Sequence, residues 1–77
     1  MTLTEAVTKR LKDLMETRGF SLYKLHKEGG IAKSTLSQVL NGTRKRVELL
    51  TLYEILDTMG VTLGEFFSDP LFELVTD

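Results

Sequence analysis

Residues that end helices interrupt this 77-residue chain at short and regular intervals. The stops are Gly19, Gly29-Gly30, Asn41-Gly42, Gly60 and Asp69-Pro70. Glycine and asparagine tolerate the left-handed backbone that closes a helix, and the residue before a proline avoids the helical conformation. No pair of alternating apolar stretches is joined by a hairpin turn signal. The stops therefore predict an all-α fold, a compact bundle of five short helices.

Capping residues stand where these helices should begin. Thr2 with Glu5 and Thr62 with Glu65 have the spacing of a capping box, and Ser21 can cap the second helix. The third helix is predicted over about residues 33–40, and the fourth over about 47–59. The fifth contains Phe66 and Phe67.

Apolar periodicity predicts which faces are buried. Leu36, Val39 and Leu40 form the inner stripe of the third helix. The inner face of the fourth is expected to carry four residues, Leu49, Leu52, Tyr53 and Leu56. The tail after Pro70, LFELV, is ambiguous between strand and helix.

Composition excludes several classes of site. The chain has no cysteine and one histidine, so neither a disulfide nor a Cys/His metal cluster can be built. No apolar run reaches the roughly 20 residues of a membrane span. No nucleophile–base pair and no small-molecule site is evident. We expect no enzyme, no cofactor, no metal and no membrane contact, and a cytoplasmic location.

Charge is distributed unevenly along the chain, although the formal net charge is only −1. Residues 21–46 contain six basic side chains and one acidic, whereas residues 47–77 contain seven acidic side chains and no basic one. Such asymmetry indicates a local surface for an anionic partner. The basic cluster Arg44, Lys45 and Arg46 stands just beyond the third helix.

The outer face of the third helix is polar and carries no acid. Its members are Lys33, Ser34, Ser37, Gln38 and Asn41. Lysine can donate to guanine O6 and N7, glutamine can pair with adenine, and serine can contact base or phosphate. An ordinary solvated face has the same composition, so the face alone leaves both interpretations open.

The order of motifs resembles the phage-repressor helix-turn-helix family, of the Cro-like or xenobiotic-response-element type. The similarity needs no gap over residues 21–42, continues through "LLTLYEILDTMGVTLGEFF", and covers about residues 3–67 in all. Its residues are Ser21, Leu25, Gly30, Ser34-Thr35-Leu36-Ser37 and Asn41-Gly42. The resemblance implies a lambda-repressor-like fold, with a DNA-binding domain over residues 1–69 and a short apolar tail over 70–77.

The resemblance also implies roles for particular residues. Lys33, Ser34 and Gln38 match positions that touch base edges, and Ser37 shares their face. Asn41 matches a position that holds a phosphate. The remaining phosphate candidates are Ser21, Tyr23, Thr43, Arg44, Lys45 and Arg46.

Three positions depart from the family pattern. Leu22 stands where the family often has a glutamine that binds phosphate or supports the recognition helix. A leucine side chain can do neither, so this phosphate contact is not expected. His26 replaces an alanine at the crossing of the two helices, where a tolerated packing residue is expected. Ala32 replaces the usual serine cap of the third helix, a loss of roughly 1 kcal/mol.

These features predict a sequence-specific regulator that binds double-stranded DNA, a repressor acting as a homodimer on a pseudo-palindromic operator, of bacterial, phage or mobile-element origin. The expected dimerisation residues are in the tail: Leu71, Phe72, Leu74 and Val75. Two alternatives involve a protein partner. One is an antitoxin-like autorepressor whose tail binds a toxin, and the other is an interaction module that has lost DNA binding.

Overall fold

The computed structural model describes residues 1–43 and 46–77. Within these ranges the chain is all-helical, and no strand occurs. Five α-helices are followed by a 3₁₀ helix: α1 Leu3–Arg18, α2 Leu22–Gly29, α3 Lys33–Leu40, α4 Leu49–Met59, α5 Leu63–Phe67 and the 3₁₀ helix Pro70–Leu74. The predicted all-α class and the five helices are confirmed.

Both predicted capping boxes form. At the start of α1, the Thr2 hydroxyl accepts the Glu5 N–H at 3.1 Å, and the Glu5 carboxylate accepts the Thr2 N–H at 2.7 Å. This backbone hydrogen bond, followed by that of the Thr2 side chain, holds the pKa of Glu5 below its ordinary value. Thr62 and Glu65 repeat the arrangement at α5. Two helix starts are thus fixed by local sequence.

The core lies where the helices converge, and all five α-helices contribute to it. Its largest fully buried side chains are Phe66, Leu11, Leu25, Leu36, Ile55, Leu56 and Val39. The predicted stripe of α3, with Leu36, Val39 and Leu40, is confirmed. Since three of its eight residues are buried, α3 is fixed on the core by one side only.

The glycine at the end of α2 allows a close approach between α2 and α4. A Cβ placed on Gly29 would overlap the hydroxyl oxygen of Thr58 in α4 and would lie 3.2 Å from Cδ1 of Ile31. A larger residue at Gly29 must therefore turn the Thr58 hydroxyl away from the Glu54 carbonyl to which it donates, or shift α4 or the turn that follows. The small size of Gly29 thus lets the end of α2 pack closely against α4.

The expected inner face of α4 is wrong at two of its four positions. Leu49 is 66% exposed and Tyr53 is 47% exposed, whereas Ile55 and Met59 are buried beside Leu52 and Leu56. The helix also begins at Leu49 rather than near residue 47. Because α4 has apolar residues on more than half of its circumference, periodicity alone could not select the buried side.

The tail folds onto the start of its own chain. Pro70 opens the 3₁₀ helix after the predicted stop at Asp69-Pro70, so the segment is neither strand nor α-helix. The backbone N–H of Thr76 donates to the carbonyl of Met1 at 3.0 Å. The Phe72 ring is half-buried, 4.9 Å from the ring of Phe67 between centroids.

Two arginines of α1 bind the carboxyl ends of other helices. The Arg10 guanidinium donates from Nε to the carbonyl of Phe66 and from Nη2 to that of Glu65, each at 3.1 Å, and its Nη1 lies 3.3 Å from the Asp69 carboxylate. Arg18 donates to the carbonyl of Met59 at 3.3 Å. Cations are stabilising at helix carboxyl ends, so these arginines hold α1 against α4 and α5.

Candidate nucleic-acid interface

The outer face of α3 is presented to solvent as the sequence predicts. Its candidate residues are all exposed: Lys33, Ser34, Ser37, Gln38 and Asn41. The opposite side of the same helix is buried, so the core fixes the rotation of α3 about its axis. A helix held in this way offers one polar surface without an acidic side chain.

The turn between α2 and α3 is fixed by backbone conformation and by a histidine. Gly30 adopts a left-handed conformation with φ +67°, and its N–H donates to the carbonyl of His26 at 3.0 Å. The half-buried His26 ring also reaches across the turn, where Nδ1 lies 2.7 Å from the carbonyl oxygen of Ile31. Since a carbonyl can only accept, Nδ1 carries the proton and donates.

His26 is therefore more than the tolerated packing residue that was expected. Its bond ties the last turn of α2 to Ile31, two residues before α3 begins, and so joins the two ends of the turn between the helices. Sequence reasoning missed this role because the acceptor is a main-chain carbonyl, which no residue type reveals. The short spacing between His26 and Ile31 around a double glycine was the available signal.

The amino end of α3 lacks a side-chain cap, as expected from Ala32. The described residues provide no side-chain hydrogen bond to it. The first-turn N–H groups therefore remain available to water or to an anion. Leu22, the other departure near this end, is half-buried against the core, so it offers no phosphate donor.

Lys33 and Tyr23 are brought together at the junction of α2 and α3. The Lys33 ammonium lies 5.4 Å from the centroid of the Tyr23 ring, within the range of a cation–π contact. Tyr23 is exposed, so its hydroxyl can reach a partner outside the chain. A base-edge candidate and a phosphate candidate thus lie side by side.

Ser21 performs two tasks in this region. Its hydroxyl oxygen accepts the N–H of Lys24 at 3.0 Å and so caps α2. A serine hydroxyl also carries a proton to donate, and this capping role does not use it. Ser21 can therefore cap the helix and donate to an anion at the same time.

At the carboxyl end of α3, Asn41 and Thr43 form a compact hydrogen-bonded turn. The Asn41 side-chain oxygen accepts the Thr43 N–H at 3.0 Å and the Thr43 hydroxyl at 2.8 Å. Gly42 between them is left-handed, with φ +75°. Because the oxygen is the acceptor in both bonds, neither uses the N–H donors of the Asn41 amide group, which are of the kind that can bind phosphate.

The basic cluster after this turn is described only in part. Arg44 and Lys45 lie outside the described residues, and Arg46 is exposed. Of the other bases between residues 21 and 46, Lys24 lies 3.9 Å from Glu28 and stacks over the Phe20 ring. Lys27 is exposed.

The acidic third of the chain is partly neutralised by the arginines of α1. Asp69 pairs with Arg10, and Glu65 lies 3.6 Å from Arg18. These two arginines therefore form interactions within the helix bundle. The positive charge available for a ligand is concentrated in residues 21–46. This separation of roles is not visible in a residue count.

Other kinds of site receive no support from the described part of the chain. Among residues 1–43 and 46–77, no three metal-ligating side chains gather in one place. Over the same ranges, no helix combines the length and the apolar character needed to cross a membrane.

Comparison with known proteins gives one match. Residues 10–70 match the model of a family described as the Cro/C1-type HTH DNA-binding domain. The match includes α2, the turn and α3, and it extends through α4 and α5. No curated protein and no solved structure matches the chain.

Proposed function

Because the chain belongs to the Cro/C1-type helix-turn-helix DNA-binding domain family, we propose that it is a repressor that binds an operator in double-stranded DNA as a homodimer. In this proposal the DNA-binding domain spans residues 1–69, and α3 enters the major groove. The protein then acts by binding and not by catalysis, in the cytoplasm where such DNA is found.

The observation that supports the proposal is the polar, acid-free outer face of α3. A major groove about 12 Å wide admits a helix whose outward side chains are short or can donate to base edges. Lys33, Ser34, Ser37 and Gln38 meet this requirement, and all of them are exposed. The buried stripe behind them holds the helix in place, so little ordering is left to occur on binding.

Phosphate contacts on both sides of α3 would fix its register in the groove. Ser21 and Tyr23 lie on the amino side, and Asn41, Thr43 and the cluster 44–46 lie on the carboxyl side. Contacts of this kind position a protein without reading sequence. In the hydrogen bonds described above Asn41 and Ser21 act as acceptors, and their amide and hydroxyl donors are suited to this task.

The first experiment is selection of bound duplexes from a random DNA pool, followed by mobility shifts at several salt concentrations. We expect an enriched pseudo-palindrome whose half-sites lie about one helical turn apart. Recovery of no preferred sequence, with equal affinity for all duplexes, would contradict the proposal.

The basic cluster is tested by replacing Arg44, Lys45 and Arg46 together with glutamine. Affinity for all duplexes should fall alike, and the slope of log K against log salt should shrink by roughly 0.9 for each phosphate that the variant no longer neutralises. The control is Gln38→Ala, which removes no positive charge and should leave the slope unchanged.

The alternatives with a protein partner remain distinguishable. An antitoxin-like autorepressor would also bind DNA, and its tail would bind the toxin. The tail offers one strongly exposed apolar side chain for such a contact, Leu74, which is 60% exposed. An interaction module of the same fold would bind no DNA at either low or moderate salt. The mobility shift therefore separates the module from the repressor.

A further inference from the structure

Thr43 donates two hydrogen bonds to one side-chain oxygen in the turn that ends α3. Its backbone N–H donates to the side-chain oxygen of Asn41 at 3.0 Å, and its hydroxyl donates to the same oxygen at 2.8 Å. The carbonyl oxygen of Gln38 is farther from the hydroxyl, at 3.5 Å. The single hydroxyl proton is therefore directed to Asn41, and both donors of Thr43 are engaged within the chain.

These bonds leave Thr43 without a donor for phosphate. The backbone phosphates of DNA accept hydrogen bonds, so a residue must offer an N–H or an O–H to bind one. The sequence predicts Thr43 as a phosphate contact, yet its amide and hydroxyl protons both point to Asn41. A direct contact between Thr43 and phosphate would require this turn to break.

The same bonds determine which way the Asn41 amide group faces. The oxygen and the nitrogen of an asparagine side chain have nearly the same shape, but a backbone N–H can donate only to the oxygen. The oxygen is therefore turned towards Thr43, and the NH₂ group occupies the other branch of the amide. The main chain of Asn41 is held as well, since its N–H donates to the carbonyl of Ser37 at 3.0 Å. Both parts of Asn41 are thus fixed before a ligand binds.

Gly42 allows the chain to reverse between these two residues. Its backbone is left-handed, with φ +75°, a conformation that glycine adopts without strain. The reversal returns Thr43 to the side chain two residues before it. Asn41, Gly42 and Thr43 are all exposed, so the turn lies at the surface beside the outer face of α3.

We propose that Thr43 is a positioning residue for DNA binding: it presents the amide donors of Asn41 to a backbone phosphate and makes no contact with DNA itself. This inference rests on the proposed function. A side chain that is already oriented loses less conformational freedom on binding, so Thr43 raises affinity through Asn41. Because a phosphate contact carries no sequence information, Thr43 leaves the preferred operator unchanged.

Three variants separate positioning from direct contact. Thr43→Val keeps the branched shape and the backbone N–H but removes the hydroxyl, Thr43→Ser keeps the hydroxyl, and Asn41→Ala removes the amide group. None changes the charge, so the slope of log K against log salt should stay as in wild type. We expect Asn41→Ala to lose at least about tenfold in affinity per half-site. Thr43→Val should lose roughly three- to tenfold, and Thr43→Ser should bind like wild type.

The most direct measurement uses operator duplexes in which one phosphate at a time is replaced by uncharged methylphosphonate. Each replacement lowers the affinity of wild type where the protein binds that phosphate. We expect Asn41→Ala and Thr43→Val to become less sensitive at one and the same phosphate in each half-site. A Thr43→Val protein that loses sensitivity at a different phosphate, or at none, would overturn the proposal. So would a loss of affinity from Thr43→Val that persists in full in the Asn41→Ala background.

Amide hydrogen exchange tests the turn without DNA and so separates this proposal from the repressor proposal. The Thr43 N–H should exchange more slowly in wild type than in Asn41→Ala, whose side chain offers no acceptor. The amides of the buried α3 residues should stay protected in both proteins, which shows that each is folded. Equal exchange of the Thr43 N–H in the two proteins would overturn the proposal. If wild type binds no duplex, the repressor proposal and the role of Thr43 in DNA binding both fail, whereas slow exchange still establishes the turn.

Discussion

Arg10 offers the sharpest test of how the bundle is held together. Its side chain is 19% exposed and joins α1 to the end of α5 through two carbonyls and one carboxylate. Arg10→Met keeps the aliphatic stem, which continues to pack, and removes all three polar interactions. The carbonyls of Glu65 and Phe66 would then be without a charged donor.

The magnitude follows from these interactions. A hydrogen bond to a charged group contributes about 1.5–3 kcal/mol, but the three share one side chain and Asp69 remains partly hydrated, so they do not add fully. We expect Arg10→Met to lower the free energy of unfolding by about 2–4 kcal/mol. For a domain of this size, each kcal/mol lowers Tm by about 4–8 °C.

The assay is urea and thermal unfolding at one fixed protein concentration, because dimerisation would otherwise shift Tm. Lys9→Met is the control, since Lys9 forms a 3.7 Å pair with Asp13 in which both side chains are more than half exposed. Such a pair contributes at most about 1 kcal/mol. If Arg10→Met unfolds within about 0.5 kcal/mol of Lys9→Met, the role assigned to the guanidinium is wrong.

Two further substitutions test how the helix-turn-helix pair is positioned. Gly29→Ala should destabilise the protein by about 1–3 kcal/mol in denaturant unfolding, because the new methyl group meets the Thr58 hydroxyl. The control is Gly64→Ala, which should not destabilise the protein because a Cβ added there makes only an ordinary contact. Equal effects of the two substitutions would refute the close approach of Gly29 to Thr58. His26→Ala should cost about 1–2 kcal/mol and weaken DNA binding, because the carbonyl of Ile31 loses its donor. An unchanged or raised stability of His26→Ala would restore the simple packing role.

The sequence was sufficient where structure is decided locally. Both capping boxes, the end of α3 before Asn41-Gly42 and all of its buried stripe follow from residue types and spacing. The outer face of α3 could be predicted for the same reason, since a short helix with three buried residues has one remaining polar side.

Sequence reasoning failed where a partner is distant in the chain or belongs to the backbone. The buried side of α4 depends on how α1 and α5 pack. The helical spacing of apolar residues could not distinguish the exposed Leu49 and Tyr53 from the buried residues of the same helix. The roles of Arg10 and His26 depend on carbonyl groups, which are present at every residue and therefore give no sequence signal.

The central claim is that α3 reads DNA bases, and Gln38 is the most direct test of it. Selection from a random duplex pool should be repeated with Gln38→Ala at matched salt. We predict that preference relaxes at one base pair in each half-site, at a cost of about 1–3 kcal/mol there, while the rest of the consensus persists. A Gln38→Ala consensus identical to that of wild type, combined with a changed consensus for the Arg44, Lys45 and Arg46 variant, would contradict the account.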